Sequence, residues 1–292
     1  MEVCSSGNAS EYAKLSERMA DDTDDLTLLT AFERENLQGR YKQHLINQRH
    51  NWRINFDEFR PLWDCFMLID EIWSRELEAM SEGTRERNEV IPIFLFMAAH
   101  GKAQVALDLL FSDFITEALS IMREVIEFVV HGCRLLSRPD LMDVWLNRDT
   151  DAASLQRWKE EFWFGKEHRL FEGLPELYGF WKMCSERSSH ANIGVLLQRI
   201  YEFGPEKGVV ALNYSGVDSR LQPVVLFGVL QILTNLESRI FERAEPRLPL
   251  DTELQQMRAK FRKEKDATMV LMKPDFQLFA TSATSESSEP TH

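Results

Sequence analysis

The most regular stretch of hydrophobic and polar positions covers residues 113–138. Apolar residues recur there every three or four positions, and polar residues fall on the opposite side, which predicts one long amphipathic helix. A helix with so wide an apolar face must bury it against several neighbours, so we expect it at the centre of a bundle. Its apolar positions are Ile115, Ala118, Leu119, Met122, Val125, Ile126, Val129, Val130, Cys133 and Leu136.

The same spacing predicts further helices on both sides of this stretch. Pro61 suits a first helical turn, and residues 91–111 carry a strongly apolar pattern. The connection from 111 to 113 is so short that these two helices should be antiparallel neighbours, with Ser112 or Asp113 as the N-cap of the second. The other helical patterns cover residues 26–49, 61–80, 152–164, 174–187, 224–244 and 250–266.

One interior segment, at about residues 202–222, is irregular because glycine and proline interrupt it. Residues 194–201 before it extend the preceding helix or start another, and residues 209–214 suit a short strand. Strands and helices do not alternate along the chain, as they do in α/β folds. The predicted fold class is therefore all-α, a multi-helix bundle of about five core helices with peripheral helices and this loop.

The two ends of the chain differ from the middle in composition. Residues 1–25 are small, polar and acidic and predict a mobile arm, whereas residues 271–292 predict a mostly disordered tail. Residues 26–270 are expected to form a single helical-bundle domain. Within it, the helix at 250–266 is highly charged, so we expect it to be exposed and to bury little.

Charge and cysteine content narrow the class of protein. The chain has 292 residues with 34 basic and 47 acidic side chains, a net charge of −13, which disfavours nucleic acid as a partner. Its longest apolar run, residues 90–99, is too short to cross a bilayer, so no membrane association is predicted. The N-terminus lacks the pattern of a secretory signal, so we expect a cytoplasmic location. Cys4, Cys65, Cys133 and Cys184 form no CxxC pair and are interpreted as free thiols, three of them buried in helices.

The first candidate site lies on the polar side of the 113–138 helix. Glu124, Glu127 and His131 share one stripe because they are three and seven positions apart, and Arg123 is placed to pair with Glu127. The structural interpretation is an ion pair at a contact between two helices. Common dinucleotide, phosphate, zinc-protease, hydrolase and calcium motifs do not occur in the chain.

The second candidate site is the segment 185–190, at the end of the predicted helix 174–187. One interpretation is a capping turn. The other is a polar pocket in which His190 faces Glu124 and Glu127 and acts as an acid, a base or a ligand. Glu127/His131 and Glu186/His190 also suggest a metal site, although di-iron bundles space these residues three apart and here they are four apart. No cofactor is predicted.

Two further groups of residues are assigned to structure. Tryptophans cluster between positions 145 and 181, and such clusters are typical of a core. A short basic stretch alternates with acidic residues and is interpreted as a solvated helix face. These residues are Trp145, Trp158, Trp163 and Trp181 in the first group, and Lys260, Arg262, Lys263 and Lys265 in the second.

Two segments carry a resemblance to known proteins. ALSIMREVIEFVVHGCRLL is a long apolar helix with Arg and Glu, and YGFWKMCSERSSHAN is a later helix that ends in a Ser…His turn. Together they resemble a family of uncharacterised bacterial helical proteins that is loosely similar to the HEPN superfamily. That superfamily includes RNA-cleaving toxins and phage-defence proteins. The resemblance covers about residues 90–200.

The resemblance implies a helical protein that acts through a protein partner or a homo-oligomer in a stress or defence system. It also implies that Arg123, Glu127 and His190 form a polar cluster. HEPN ribonucleases place four to six residues between Arg and His, whereas Arg187 and His190 have two between them. A nucleic-acid-processing hydrolase that uses His190 with Glu124 or Glu127 is one alternative, and a carboxylate–histidine metal protein is the other.

Overall fold

The computed structural model describes residues 25–83, 87–164, 169–188, 200–203, 209–212, 222–244 and 252–285. Over these ranges the chain is an all-α bundle with one small antiparallel hairpin, which confirms the predicted fold class. The helices are α1 Ala31–Asn36, α2 Gly39–Glu58, α3 Arg60–Gly83, α4 Arg87–Phe111, α5 Ile115–Ser137, α6 Met142–Leu146, α7 Ala152–Phe162, α8 Pro175–Ser188, α9 Gln222–Ala244 and α10 Thr252–Ser285, and the strands are β1 Ile200–Phe203 and β2 Val209–Leu212.

Helix α5 lies at the centre of the bundle, as its pattern predicts. Helices α4, α8 and α9 pack around it, and no residue of α5 from Ile115 to Leu136 is exposed. The predicted apolar face is buried almost throughout. Because neighbours surround the helix, its polar positions are half-buried, and each of them needs a partner on another element.

Helices α4 and α5 are antiparallel and pack closely along their length. A Cβ atom on Gly132 would lie 2.4 Å from Cε1 of Phe96, so the ring of Phe96 occupies the space that a side chain on α5 would need. Farther along the pair, Lys102 of α4 reaches Glu124 of α5. The predicted antiparallel arrangement is confirmed by these two contacts.

The turn between α4 and α5 is fixed by amides from two other helices. Asp113 adopts a left-handed conformation with φ of 65°. The amide of Asn55, on α2, donates to the carbonyl of Phe111 at 2.8 Å and to Oδ1 of Asp113 at 2.7 Å. Gln222, at the start of α9, donates to the carbonyl of Leu110 at 2.6 Å. Since the end of α4 is buried, these bonds satisfy carbonyls that the helix itself leaves without partners.

The N-cap predicted for α5 is wrong. The cap position is Phe114, which makes no side-chain capping bond. Ser112 donates its hydroxyl back to the carbonyl of Asp108, and Asp113 accepts from Asn55. Tertiary partners therefore take the place of the local cap that the sequence suggests.

The segment predicted as one helix at 26–49 is divided in two. Helix α1 is capped by Thr30, whose hydroxyl and backbone exchange hydrogen bonds with Glu33. Helix α2 begins at Gly39, which has φ of 62°, a conformation that a glycine adopts without a steric penalty. The glycine therefore separates two helices rather than weakening the middle of one.

Helix α10 is longer and better packed than its composition predicts. It buries Leu254, Phe261 and Thr268 against the bundle, although the segment was expected to be exposed and to bury little. It also continues to Ser285, into the region predicted to be mostly disordered. Residues 286–292 lie outside the described residues, as do residues 1–24 of the arm predicted at 1–25; Asp25 begins a short 3-10 helix.

The hairpin occupies part of the irregular segment. Ile200 pairs with Leu212 and Phe203 with Val209. The predicted strand is thus present over Val209–Leu212, but the helix expected to include Ile200 and Tyr201 is wrong, because both residues lie in β1. The rest of the segment lies outside the described residues.

Two helices in the described part of the chain are long and apolar enough to cross a membrane. They are Glu89–Phe111, which is 44% buried in the bundle, and Gln222–Arg243, which is 50% buried. The first helix continues well past residues 90–99, the apolar run that is too short by itself to cross a bilayer. Because core helices of bundles meet the same criterion, length and composition do not assign either helix to a membrane.

Candidate functional site

The predicted ion pair of Arg123 with Glu127 on α5 forms where α5 packs against α8. Nε of Arg123 lies 3.5 Å from Oε1 of Glu127, and the indole N–H of Trp181 donates to the same oxygen at 2.9 Å. Trp181 belongs to α8, and the sequence suggested only a core role for it. The carboxylate of Glu127 is thus held between a cation on its own helix and a hydrogen-bond donor on the next one.

Burial sets the proton affinity of Glu127. It raises the pKa of this carboxyl above its ordinary value, whereas the Trp181 hydrogen bond and the Arg123 charge lower it and the Glu124 charge raises it. The net shift is upward, so Glu127 binds a proton more readily than a surface glutamate does. Such a shift is a property of general acids and bases and also of buried structural carboxyls.

Cys184 lies on α8, one turn after Trp181, and it is fully buried. Burial raises the pKa of its thiol to about 12, although the charges of Arg187 and Arg123 oppose this shift. A thiol with so high a pKa is not ionised near neutrality and is a poor nucleophile. Cys65 and Cys133 are also buried free thiols with raised pKa values, so the prediction for these three cysteines is confirmed.

Glu124 faces a different neighbour from Glu127. Its Oε2 lies 2.5 Å from Nζ of Lys102 on α4, and the same ammonium lies 5.7 Å from the centre of the Phe128 ring. Glu124 is therefore part of the α4–α5 contact. It influences Glu127 through its charge and does not join the contacts of Glu127 with Arg123 and Trp181.

His131 is enclosed by aromatic side chains. The rings of Phe162 and Phe164 lie 5.4 Å from its ring, centre to centre. Its Nδ1 is 3.5 Å from the indole nitrogen of Trp145, and its Nε2 is 3.4 Å from the carbonyl of Phe162. These partners favour the tautomer with the proton on Nε2. Burial lowers the pKa of His131 to about 4, so the ring is neutral at pH 7.

The geometry argues against a metal site at Glu127 and His131. Both ring nitrogens of His131 face partners on other helices, and the lone pair on Nδ1 faces the indole N–H of Trp145 rather than Glu127. Glu186 pairs with Lys182 at 3.5 Å on an exposed face. Over the part of the chain that the structure describes, no group of three or more His, Cys, Asp or Glu residues has a metal-binding arrangement.

His190 lies outside the described residues. Helix α8 ends at Ser188. The role of His190 with Glu124 or Glu127 therefore stays a prediction, as does the pairing of Glu186 with His190.

The tryptophan cluster is a core feature with one exception. Trp158 is buried, Trp145 and Trp181 are half-buried, and Trp163 is 49% exposed. The basic stretch on α10 is solvated, as predicted, except that Lys265 is half-buried.

A buried charge cluster, absent from the predictions made from the sequence, joins α3, α9 and α10. Nη1 of Arg258 is 3.3 Å from Oε1 of Glu76, and Nη2 is 2.9 Å from Oε1 of Glu237. The guanidinium lies 3.5 Å from the centre of the Phe241 ring. Burial and the nearby Glu237 charge raise the pKa of Glu76 far above its ordinary value. The sequence carries one indication of this cluster: Glu237 occupies a position on the apolar face of α9, one turn after Leu233.

A second polar contact fixes α3 against α4. Nε2 of His100 lies 2.7 Å from Oδ1 of Asp70, and the amide of Gln104 donates to the same oxygen at 3.0 Å. Burial raises the pKa of Asp70, but the bonds from His100 and Gln104 outweigh it and the net shift is downward. The arrangement connects two helices.

The chain matches no protein-family model, no curated protein and no solved structure.

Proposed function

We propose that the chain is a cytoplasmic, HEPN-like helical protein that acts through a protein partner in a stress or defence system. The observation that supports a partner is an apolar stripe on the exposed side of α4, formed by Phe94, Met97, Ala98, Gly101 and Val105. Phe94 is 62% exposed, Met97 44% and Val105 52%. Apolar side chains that share one exposed helix face mark interaction sites more often than isolated ones do. We refer to these five residues as the α4 stripe.

The α4 stripe contrasts with the rest of the molecule in charge. The six exposed positions of α4 between residues 94 and 105 are all uncharged, whereas the whole chain carries a net charge of −13. Charge on the surface of a protein increases its solubility. An uncharged apolar stripe therefore lowers solubility unless a partner covers it.

Two observations support the other parts of the proposal. The resemblance of residues 90–200 to HEPN-like proteins supports the stress or defence system. The three buried free cysteines support a reducing compartment such as the cytoplasm.

Co-purification from the native host tests the partner. A tagged wild-type chain is expected to recover a specific protein, and Phe94→Glu is expected to lose it because a charge replaces the most exposed residue of the α4 stripe. Phe32→Glu is the matched control, since Phe32 on α1 is 71% exposed and lies outside the stripe. Recovery of the same proteins by wild type and Phe94→Glu would contradict the proposal.

The hydrolase is a second candidate, and the raised pKa of Glu127 is the observation that favours it. A glutamate with increased proton affinity is better suited to general base catalysis near neutrality. The test is to incubate RNA with wild type, His190→Ala and Glu127→Gln. If the chain is a hydrolase, wild type should cleave the RNA and both substitutions should reduce the cleavage. Equal and negligible cleavage by all three proteins would exclude it.

A further inference from the structure

We propose that the partner of the α4 stripe is a second copy of this chain, bound as a twofold-symmetric dimer with antiparallel α4 helices. This inference rests on the proposed function, because it names the partner of the same surface. A twofold interface brings one patch against itself, so the patch must be complementary to its own reversed copy.

The order of side-chain sizes along the α4 stripe meets this requirement. Phe94 and Val105 are the bulky ends, and Ala98 and Gly101 are the small residues between them. When two copies of α4 are antiparallel, one register places Phe94 against Val105 of the second copy and Ala98 against Gly101 of the second copy. Bulky residues then meet at both ends, and small residues meet at the twofold axis.

The small residues at the axis allow the two helices to approach closely. A Cβ atom on Gly101 would have no atom within 4 Å, so the space above this residue is open. Packed helices are separated by about 8–10 Å, and small contact residues favour the lower end of this range. At that separation Phe94 and Val105 can reach each other across the interface.

Charged residues lie only at the edge of the stripe in this register. Lys102 is already paired with Glu124 on its own chain. Asp108 is exposed one turn beyond Val105 and would lie at the end of the interface, near the half-buried Ile91 of the second copy. A register with the twofold axis at Gly101 would instead place Phe94 against Asp108 of the second copy, so an apolar ring would pack against a charge.

The area of the stripe suits a weak, reversible dimer. A fully exposed aromatic side chain presents about 150–250 Å², and Met and Val present no more, so the exposed fractions of Phe94, Met97 and Val105 amount to roughly 240–400 Å² of apolar surface per copy. Two copies of these residues would bury roughly 500–800 Å², and flanking residues would bring the total toward the lower limit of specific interfaces, about 1,000 Å².

Analytical ultracentrifugation over a range of concentrations tests the dimer. Wild type is expected to dimerise reversibly and weakly, because the interface lies near the lower size limit of specific contacts. Phe94→Glu is expected to raise the dissociation constant at least about tenfold, because two like charges replace an apolar contact. Phe32→Glu should leave it unchanged. Added NaCl should strengthen the dimer, since it screens the repulsion between two copies of charge −13.

Gly101→Leu is a second variant that does not depend on introducing a charge. Because the space at Gly101 is open in the single chain, the variant should fold, which circular dichroism would check. The added side chain prevents the close approach of the two helices, so we expect a weaker dimer.

Cysteine cross-linking tests the register. In a Cys4→Ser background the other cysteines are buried. Phe94→Cys combined with Val105→Cys should form a covalent dimer on mild oxidation, whereas Phe94→Cys combined with Asp108→Cys should form little. The reverse result would overturn the proposed register.

The possible outcomes separate this inference from the proposed function. A wild-type chain that stays monomeric at the highest concentration, or a dimer that Phe94→Glu leaves intact, would overturn the second copy as the partner. The partner proposal would still stand if Phe94→Glu loses a different protein in the co-purification. Binding of wild type, but not Phe94→Glu, to phosphatidylcholine vesicles would assign the α4 stripe to a membrane and also overturn the dimer.

Discussion

At the scale of single residues, the polar side of α5 is divided among several neighbours. Sequence spacing correctly places Glu124, Glu127 and His131 along one side of the helix. However, Glu124 contacts α4, Glu127 contacts α8, and His131 lies among aromatic residues of α6, α7 and the chain that follows α7. This division arises because α5 is surrounded, so positions one turn apart face different elements.

The hydrogen bond from Trp181 to Glu127 makes a testable contribution to stability. Trp181→Phe removes the donor and leaves the half-buried carboxylate of Glu127 without this hydrogen bond, so we expect the free energy of unfolding to fall by about 1–3 kcal/mol. Urea denaturation measures this change. In a Glu127→Gln background the same substitution should cost less, because the acceptor is then neutral. Equal costs in both backgrounds would show that the loss comes from aromatic packing.

At the scale of elements, the contact between α4 and α5 depends on one glycine. Gly132→Ala places a Cβ atom 2.4 Å from the fully buried ring of Phe96. We expect destabilisation of about 1–3 kcal/mol from overpacking, which exceeds the gain of up to about 1 kcal/mol in helix propensity. Gly179→Ala on α8 is the control: its Cβ would meet nothing within 4 Å, so this variant should be neutral or stabilised. Thermal unfolding compares the two, and equal effects would contradict the close contact.

Helix α10 is attached to the bundle by a cluster that should make stability depend on pH. Burial and the Glu237 charge raise the pKa of Glu76 far above its ordinary value of 4.5, so the folded protein holds a proton that the unfolded chain has released. This contribution to stability is complete below pH 4.5 and is lost as the pH rises through the raised pKa of Glu76. The free energy of unfolding should therefore fall as the pH rises above 4.5.

Glu76→Gln tests this dependence. The amide has a similar shape and no charge to titrate, so the variant should lose most of the downward slope that wild type shows above pH 4.5. Glu253→Gln is the matched control. Glu253 of α10 pairs with Arg75 of α3, so it connects the same two helices as Glu76 and Arg258 but is exposed. Urea titrations at several pH values would refute the prediction if Glu76→Gln and wild type had parallel slopes.

At the scale of the whole molecule, charge opposes compactness. A net charge of −13 makes the folded chain repel itself more than the expanded chain does. We expect the melting temperature to rise as NaCl is increased from low concentration to about 0.5 M, where the Debye length falls below about 5 Å. The measurement uses dilute protein, so that association between chains does not change the melting temperature. A melting temperature that falls with salt would mean that surface ion pairs outweigh the overall repulsion.

Much of the fold could be predicted from the sequence, because helical spacing is a local property. The central position of α5, the antiparallel α4 and the burial of three cysteines follow from the pattern of apolar positions. Local signals failed where distant residues decide the structure. Asn55 and Gln222 replace the predicted cap of α5, and Arg258 gives α10 a buried attachment that its composition does not suggest.

The candidate site was predictable in part for the same reason. Arg123 and Glu127 are on one helix, so their spacing alone predicts a pair, whereas Trp181 is 54 residues away and its hydrogen bond depends on how α8 packs. The sequence by itself determined which residues form helices and which faces are apolar, because both depend on neighbours within two turns. Only the tertiary structure decided what each half-buried polar group on α5 contacts and which apolar face of α4 stays uncovered. Those outcomes depend on how helices far apart in the sequence pack together.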